Sequence, residues 1–418
     1  MAEIHLKYGA TRIPVEYDHA RFEVLGANPA GRRLTDAEIG DQLDAPIQSP
    51  RIEDRVSSGE SVLIVVPDAT RQTAAGQIVN LLIRRLIANG TEPHQIGVIF
   101  ATGIHRKVTA DERTAILTSF IAQRIKTIDH DARDLMQMVR VGETAGGIPV
   151  ELNRALFEYD HTILVGGVSF HYFAGFTGGR KLICPGLASA KTISATHRLA
   201  FDSDTLDRRT GVGTGLLEGN AVHEAFVEAA GMAKPAFAIN TIVDDSGNAT
   251  SIFCGDWIES HGRACEAYAD QNKCIVAERR GLVIASCGGW PYDINMIQAH
   301  KTVEAASHAC AEGGTLVLIA KCADGLGRDD FLDWFESSDS YSLAVKLRDK
   351  YQVNGQTAWS LLLKAERFDI RVITDLARET CERMRLKKIE TDELSALTQR
   401  ADNGYLIPSG GKLMITNR

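Results

Sequence analysis

VLIVVPDATRQTAAGQIVNLLIRRLIANGTEPHQIGVIFATGIH, residues Val62 to His105, holds a strand, a helix and a second strand in immediate succession. Val62 to Val66 is an unbroken apolar run, the pattern of a strand buried on both faces of a sheet. Pro67 ends it, and Asp68, Thr70 and Arg71 follow in the outgoing loop. Ile78, Leu81, Leu82, Leu86 and Ile87 then recur at helical spacing until Asn89-Gly90, a pair suited to a helix C-terminus. Ile96 to Phe100 reads as the second strand and leads through Thr102-Gly103 to His105. Thr109 and Glu112 have the spacing of a capping box for a further helix.

The same rhythm continues outward. Ile125 to Ile128 and Thr162 to Val168 read as strands, and the second runs directly towards His171. Strand, loop and helix in alternation imply a mostly parallel sheet covered by helices. In such sheets the loops leaving the carboxyl ends of the strands share one edge, so Asp68, Arg71, His105 and His171 are expected to face one crevice. A second α/β portion begins near residue 275. Gly281 to Ser286 is its first strand, CGGWPYD a tight loop, and Asp293 to about Glu312 a helix on which Gln298 and Lys301 share a face. Leu316 to Ala320 and Ile370 to Thr374 continue the alternation, and the terminal GYLIPSGGKLMITNR fits either lobe. The expectation is an α/β protein of two mixed α/β domains with mostly parallel sheets, residues 1–275 and 276–418, and an active site in the interdomain cleft.

Composition narrows the class of partner. With 418 residues, 44% hydrophobic and 24% charged, the chain is an ordinary globular protein long enough for two cores. A formal net charge of -8 argues against a general affinity for nucleic acid or anionic lipid. There is no N-terminal apolar leader and no run of about 18 apolar residues, so a cytoplasmic location without a membrane partner is expected. The 8 cysteines are scattered with no CxxC pair, as reduced thiols would be. Oligomeric state is not written in this pattern.

The densest chemistry lies in SFHYFAGFTGGRKLICPGLASAKTISATH, Ser169 to His197. Two histidines, a glycine-hinged loop, adjacent Arg180 and Lys181, and Cys184 fall within one short span. Plain structural roles exist for each: glycines permit turns, Asp68 and Arg71 can cap a helix or pair at the surface, and His94, His130, His161 and His261 read as ordinary hydrogen-bonded histidines. The loop is not a P-loop, because the spacing before Lys181 is wrong and no Ser or Thr follows it. Its backbone amides and Arg180 remain suited to an anion. GVGTG, Gly211 to Gly215, imitates part of a dinucleotide-binding loop but lacks a preceding apolar strand.

Four blocks together resemble the lactate racemase family of nickel-pincer racemases and epimerases over nearly the whole chain. They are PDATRQ (Pro67 to Gln72), ATGIHRKVT (Ala101 to Thr109), HYFAGFTGGRKLICPG (His171 to Gly186) with the later His197, and IQAHKT (Ile297 to Thr302). The resemblance implies a nickel-pincer nucleotide, the nickel pyridinium-3,5-bisthiocarboxylic acid mononucleotide, with nickel bound through one ring carbon and two sulfurs. By the same resemblance Lys181 would tether this cofactor within the Gly178-Gly179-Arg180 loop, His197 would ligate the nickel, and His105 and His171 would act as acid and base. Arg71 and Lys301 would hold the substrate carboxylate. Asp68 would support the cofactor side and Gln298 the substrate side, Trp359 matches a site tryptophan, and Tyr292 with the His300-Lys301 neighbourhood would shape the pocket for the substrate tail. Enzymes that build the cofactor are then required partners.

This set makes chemical sense. The C2 proton of a 2-hydroxy acid is poorly acidic because the neighbouring carboxylate is already negative, so reversible hydride transfer with two imidazoles serving the hydroxyl is the economical route to inversion. An arginine fork keeps the keto form from leaving, and a sulfur, carbon and imidazole set suits flat, four-coordinate nickel. The substrate is expected to be a small 2-hydroxy acid: lactate, malate, a longer acid or a sugar acid. Two other readings stand beside it: a zinc hydrolase using His105, His171 and His197 as ligands, and a non-catalytic binder of an anionic metabolite.

Overall fold

The computed structural model describes residues 1–28 and 31–418, and it divides into two compact units. One comprises Pro29–Ala200 and Thr210–Asp270; the other comprises Met1–Asn28, Phe201–Arg209 and Gln271–Arg418. No helix among the described residues is long and apolar enough to cross a membrane, and all eight cysteines are free, seven of them buried.

The unit that includes Val62 to His105 is built on a six-stranded sheet. Its order is Ala249–Gly255, Phe237–Val243, His161–Gly167, Val62–Pro67, Ile96–Ala101 and Lys126–Asp129. Five strands run parallel, and the Ala249–Gly255 edge pairs antiparallel with its neighbour. Every residue of Val62–Pro67 is buried, as the unbroken apolar run requires. The helix Ala75–Ala88 covers one face with Ile78, Val79, Leu82, Ile83 and Leu86. Ile87, read from spacing as part of that stripe, is 42% exposed, so the buried face is rotated towards Val79 and Ile83. The capping box at Thr109 is present, with Thr109 accepting from Glu112 N–H and starting the helix Ala110–Leu117.

The second unit carries an all-parallel sheet ordered Lys387–Lys388, Asp369–Ile373, Cys310–Ile319, Arg280–Ser286, Gly404–Ile407 and Phe22–Val24. Alternate residues of Arg280–Ser286 face opposite cores: Val283 and Ala285 join one cluster with Ala299, Val303 and Trp359, while Leu282 and Ile284 join another with Leu6, Ile13 and Val15 of the N-terminal hairpin. The first 28 residues therefore belong to this unit through the Ala2–Tyr8/Thr11–Tyr17 hairpin and the Phe22–Val24 strand. The C-terminal stretch stays in the same unit, with Gly404–Ile407 in the sheet and Met414–Asn417 paired to Lys273–Val276.

The helix bearing Gln298 and Lys301 spans Met296–Ser307, shorter at both ends than its sequence suggests. Asn295 is its N-cap, accepting from Gln298 N–H at 3.0 Å. Asp293 is drawn away instead, accepting from Lys321 N–H at 3.2 Å and from Gly9 N–H. Beyond Ser307 the chain turns at once into the strand Cys310–Ile319.

Candidate active site

In the first unit the strands His161–Gly167, Val62–Pro67 and Ile96–Ala101 are neighbours, and their outgoing loops deliver the candidate residues. Asp68 and Arg71 follow the central strand, His105 follows one neighbour, and the segment from Val168 to Gly186 follows the other. A short hairpin, Phe170–His171 paired with Gly175–Phe176, presents His171. Gly215 N–H donates to Gly175 O at 3.0 Å, so the GVGTG segment braces this hairpin.

The Gly178-Gly179 turn is dictated by space as well as by backbone angle. Gly178 has φ +75°, and a Cβ there would lie 2.9 Å from Gly167 O. Gly179 has φ +51°, and a Cβ there would lie 2.6 Å from His261 Cδ2. Arg180, expected to face an anion, turns inward. It is 1% exposed and donates from Nη2 to Ala174 O at 2.7 Å, with Nη1 3.0 Å from His261 Nε2. Burial lowers its pKa to about 10, and its Nε has no partner. The neighbouring Lys181 points elsewhere, its Nζ 5.5 Å from the ring centres of both Phe173 and Phe226.

The three histidines differ in environment. His105 Nδ1 is 2.7 Å from Asp68 Oδ2. Burial pushes the Asp68 carboxyl up, but His105, Thr70 and Arg71 outweigh it and hold the pKa at about 2. Ionised Asp68 can only accept, so His105 donates from Nδ1, and in the neutral form of the ring Nε2 carries the lone pair. His171, 7% exposed, accepts a long contact from Ala174 N–H at Nδ1, 3.4 Å, which favours the proton on Nε2. His197, on the helix Ala190–Arg198, donates from Nδ1 to Ile193 O at 2.7 Å, leaving the Nε2 lone pair available. Burial, and then the charge of Lys181, lower its pKa to about 3, so it is neutral at any physiological pH.

Phe173 ties these groups together, and spacing alone gave no sign of it. Its ring centre lies 4.4 Å from that of His171 and 5.0 Å from that of His197, edge-on to both. The sequence signal was the aromatic run His171-Tyr172-Phe173 itself. Cys184 is fully buried with its thiol pushed up to about 12, a structural thiol rather than a nucleophile.

No three His, Cys, Asp or Glu residues gather into a possible metal cage among the described residues. The three-histidine zinc centre allowed by the sequence is therefore not formed. A single neutral imidazole nitrogen beside an amine fits a different arrangement, in which the metal arrives with most of its ligands on a bound organic group.

In the second unit Lys301 Nζ donates to Gln298 Oε1 at 2.6 Å, and both side chains are half-buried. His300 is buried, donating from Nδ1 to Ile297 O at 2.6 Å, with its pKa lowered to about 4 by burial. Trp359 is 4% exposed on the helix Val353–Arg367, edge-on to Phe201 at 5.5 Å within the apolar core. One turn beyond Lys301, buried Glu304 pairs with Arg208 at 2.7 Å and Lys364 at 3.2 Å. Burial raises its pKa, but these two cations more than reverse that and hold it well below the carboxylate range.

Comparison with known proteins decides the family. The model of the lactate racemase N-terminal domain matches residues 8–207, and that of the lactate racemase C-terminal domain matches residues 275–403. The chain belongs to the lactate racemase family. It is 30% identical over 352 residues to a lactate racemase of Thermoanaerobacterium thermosaccharolyticum, covering 83% of this chain and 81% of that one. It is 32% identical over 335 residues to a lactate racemase of Lactiplantibacillus plantarum, covering 79% and 77%. The lactate racemase apoprotein structure from T. thermosaccharolyticum superposes with a TM-score of 0.88 at 27% identity, covering 99% of this chain and 100% of that one. A protein from Thermotoga maritima shares the fold alone, with a TM-score of 0.73 at 20% identity over 93% of this chain and 100% of that one.

Proposed function

We propose that this member of the lactate racemase family inverts the configuration at C2 of a small 2-hydroxy acid, with lactate, for which its relatives are named, as a substrate. The observation that carries this reading is the pairing of His197 with Lys181: a neutral imidazole with its Nε2 lone pair available, beside an amine set against two aromatic rings. Lys181 would anchor a nickel-pincer nucleotide covalently and His197 would donate Nε2 to its nickel. When bound, that group supplies a reversible acceptor for the C2 hydrogen together with its electron pair. Gly178 and Gly179 shape the turn that presents Lys181, and Arg180 fastens the turn from inside.

His105 and His171 serve the substrate hydroxyl. His105 takes the proton at Nε2 for one enantiomer, its ring held by Asp68; His171 offers a proton from Nε2 for return on the other face. Their opposite tautomers suit one to begin as base and the other as acid. Arg71 and Lys301 are the proposed contacts of the substrate carboxylate, with Gln298 orienting Lys301. Trp359 supports this set from the core, through the packing of its helix.

The test uses protein produced together with the cofactor-building enzymes and supplied with lactate deuterated at C2. The reading predicts inversion with the deuterium retained at C2. Loss of label to solvent at the rate of inversion, or no inversion of any hydroxy acid by loaded protein, overturns it.

A further inference from the structure

We propose that Asn220 is a positioning residue for inversion: one end of its amide fixes the hairpin tip that presents His171, and the other starts the helix that sets an aromatic ring beside Lys181. This rests on the racemase reading above and deepens it. Asn220 is fully buried. Its Nδ2 donates to Phe173 O at 2.9 Å and to Leu216 O at 3.0 Å, and its Oδ1 accepts from Val222 N–H at 3.1 Å and His223 N–H at 3.2 Å. Both donors and both lone pairs of the amide are in use. A flipped amide would set its NH2 against two N–H groups and its oxygen against two carbonyls, so only this orientation fits.

At the Oδ1 end Asn220 is the N-cap of the helix Ala221–Gly231. That helix places the Phe226 ring centre 5.5 Å from Lys181 Nζ and 5.4 Å from the ring centre of His197. Capping alone does not explain the residue, because Ser or Asp serves as well there and neither supplies the two amide N–H groups. At the Nδ2 end the amide reaches the hairpin tip between His171 and Gly175. Three successive carbonyls of that tip accept from donors outside it: Phe173 O from Asn220, Ala174 O from Arg180 Nη2 at 2.7 Å and Gly175 O from Gly215 N–H at 3.0 Å. Ala174 N–H in turn meets His171 Nδ1 at 3.4 Å, and the Phe173 ring stands edge-on to that of His171. The tip is therefore pinned at the two residues that touch the His171 ring. An imidazole passing a proton on one face of a substrate tolerates little displacement, since about 1 Å of misplacement costs on the order of 100-fold in rate. His105 is held separately, by Asp68.

Asn220→Ser separates the two ends, because it keeps a capping oxygen and removes the reach to Phe173. In cofactor-loaded protein, kcat for lactate is expected to fall roughly 10- to 100-fold with KM little changed and the added mass on Lys181 retained. A second measurement needs no turnover. In apoprotein with ring-labelled histidine, the NMR signal of His171 should move while that of His105 stays, the two being assigned with His171→Gln and His105→Gln. Should Asn220→Ser not fold, Asn220→Asp, equal in size and still a cap, carries the same predictions. Inversion as fast as that of wild type overturns the proposal. So does loss of the Lys181 mass in step with inversion, or His171 and His105 signals that move alike or not at all. A shift of the His171 signal alone, beside loaded wild-type protein that inverts no hydroxy acid, would refute the racemase reading while leaving the tie between Asn220 and the hairpin intact.

Discussion

His105 Nδ1 and Asp68 Oδ2 meet at 2.7 Å across 37 residues of sequence, joining the loops that leave two adjacent parallel strands. The contact fixes the imidazole tautomer from a carboxylate that stays ionised down to a pH of about 2. Asp68→Asn removes that control while preserving shape. The expected loss is in kcat, roughly 10²- to 10⁴-fold, the range of general acid–base contributions, with a much smaller change in KM. Chiral chromatography of lactate turnover reads it, and an unchanged kcat would show that His105 needs no orienting partner.

Phe173 holds His171, His197 and the Lys181 amine against one ring. Phe173→Ala should destabilise the protein by about 3–5 kcal/mol, as large-to-small changes of buried aromatics do, and should depress inversion more than Phe173→Leu, which keeps most of the volume. Denaturant titration of both variants checks the first part. Equal stability of the two would mean that the ring is not packed as described.

Acid should weaken the fold through its buried histidines. His130 is 1% exposed, its Nδ1 accepting from Asn153 Nδ2 at 3.0 Å and its Nε2 donating to Ala188 O at 3.2 Å. Burial lowers its pKa from 6.5 to about 4. A folded pKa below the unfolded one means that the unfolded chain binds the proton first, so the stability is complete above pH 6.5 and is lost as pH falls towards 4. The slope is on the order of 1 kcal/mol per pH unit for one such histidine. The Tm of His130→Asn should fall less steeply over that window than that of wild type; parallel curves would contradict the buried neutral state.

Glu304 is a buried carboxylate between Arg208 and Lys364, with Ser360 Oγ donating to it at 3.3 Å. Glu304→Gln leaves two cations facing a neutral amide. Removing one member of such a cluster costs about 3–5 kcal/mol. Urea unfolding measures the difference, and a shift below about 1 kcal/mol, the size of a surface pair, would show that water reaches this cluster.

The parallel strands were legible because a strand covered on both faces must be apolar throughout: Val62 to Val66 and Ile96 to Phe100 lie within one residue of the observed strands. What was hidden depends on contacts distant in sequence. Nothing local in Phe22–Val24 reveals that it pairs with Gly404–Ile407. The helix expected from Asp293 starts later because that carboxylate is held by Gly9 and Lys321, both remote from it. At the site, residue types and strand-end positions pointed to His105, His171 and Lys181. The Asp68–His105 bond and the role of Phe173 emerge only when the loops are folded beside one another.

In the proposed function, Lys181 anchors a cofactor-borne nickel that His197 completes. Peptide mass spectrometry with metal analysis, on protein produced alongside the cofactor-building enzymes, tests this most directly. The prediction is added mass on Lys181 with stoichiometric nickel, both absent in Lys181→Ala, and nickel alone depleted in His197→Ala while the mass on Lys181 persists. An unmodified Lys181 in a preparation that inverts lactate would contradict it.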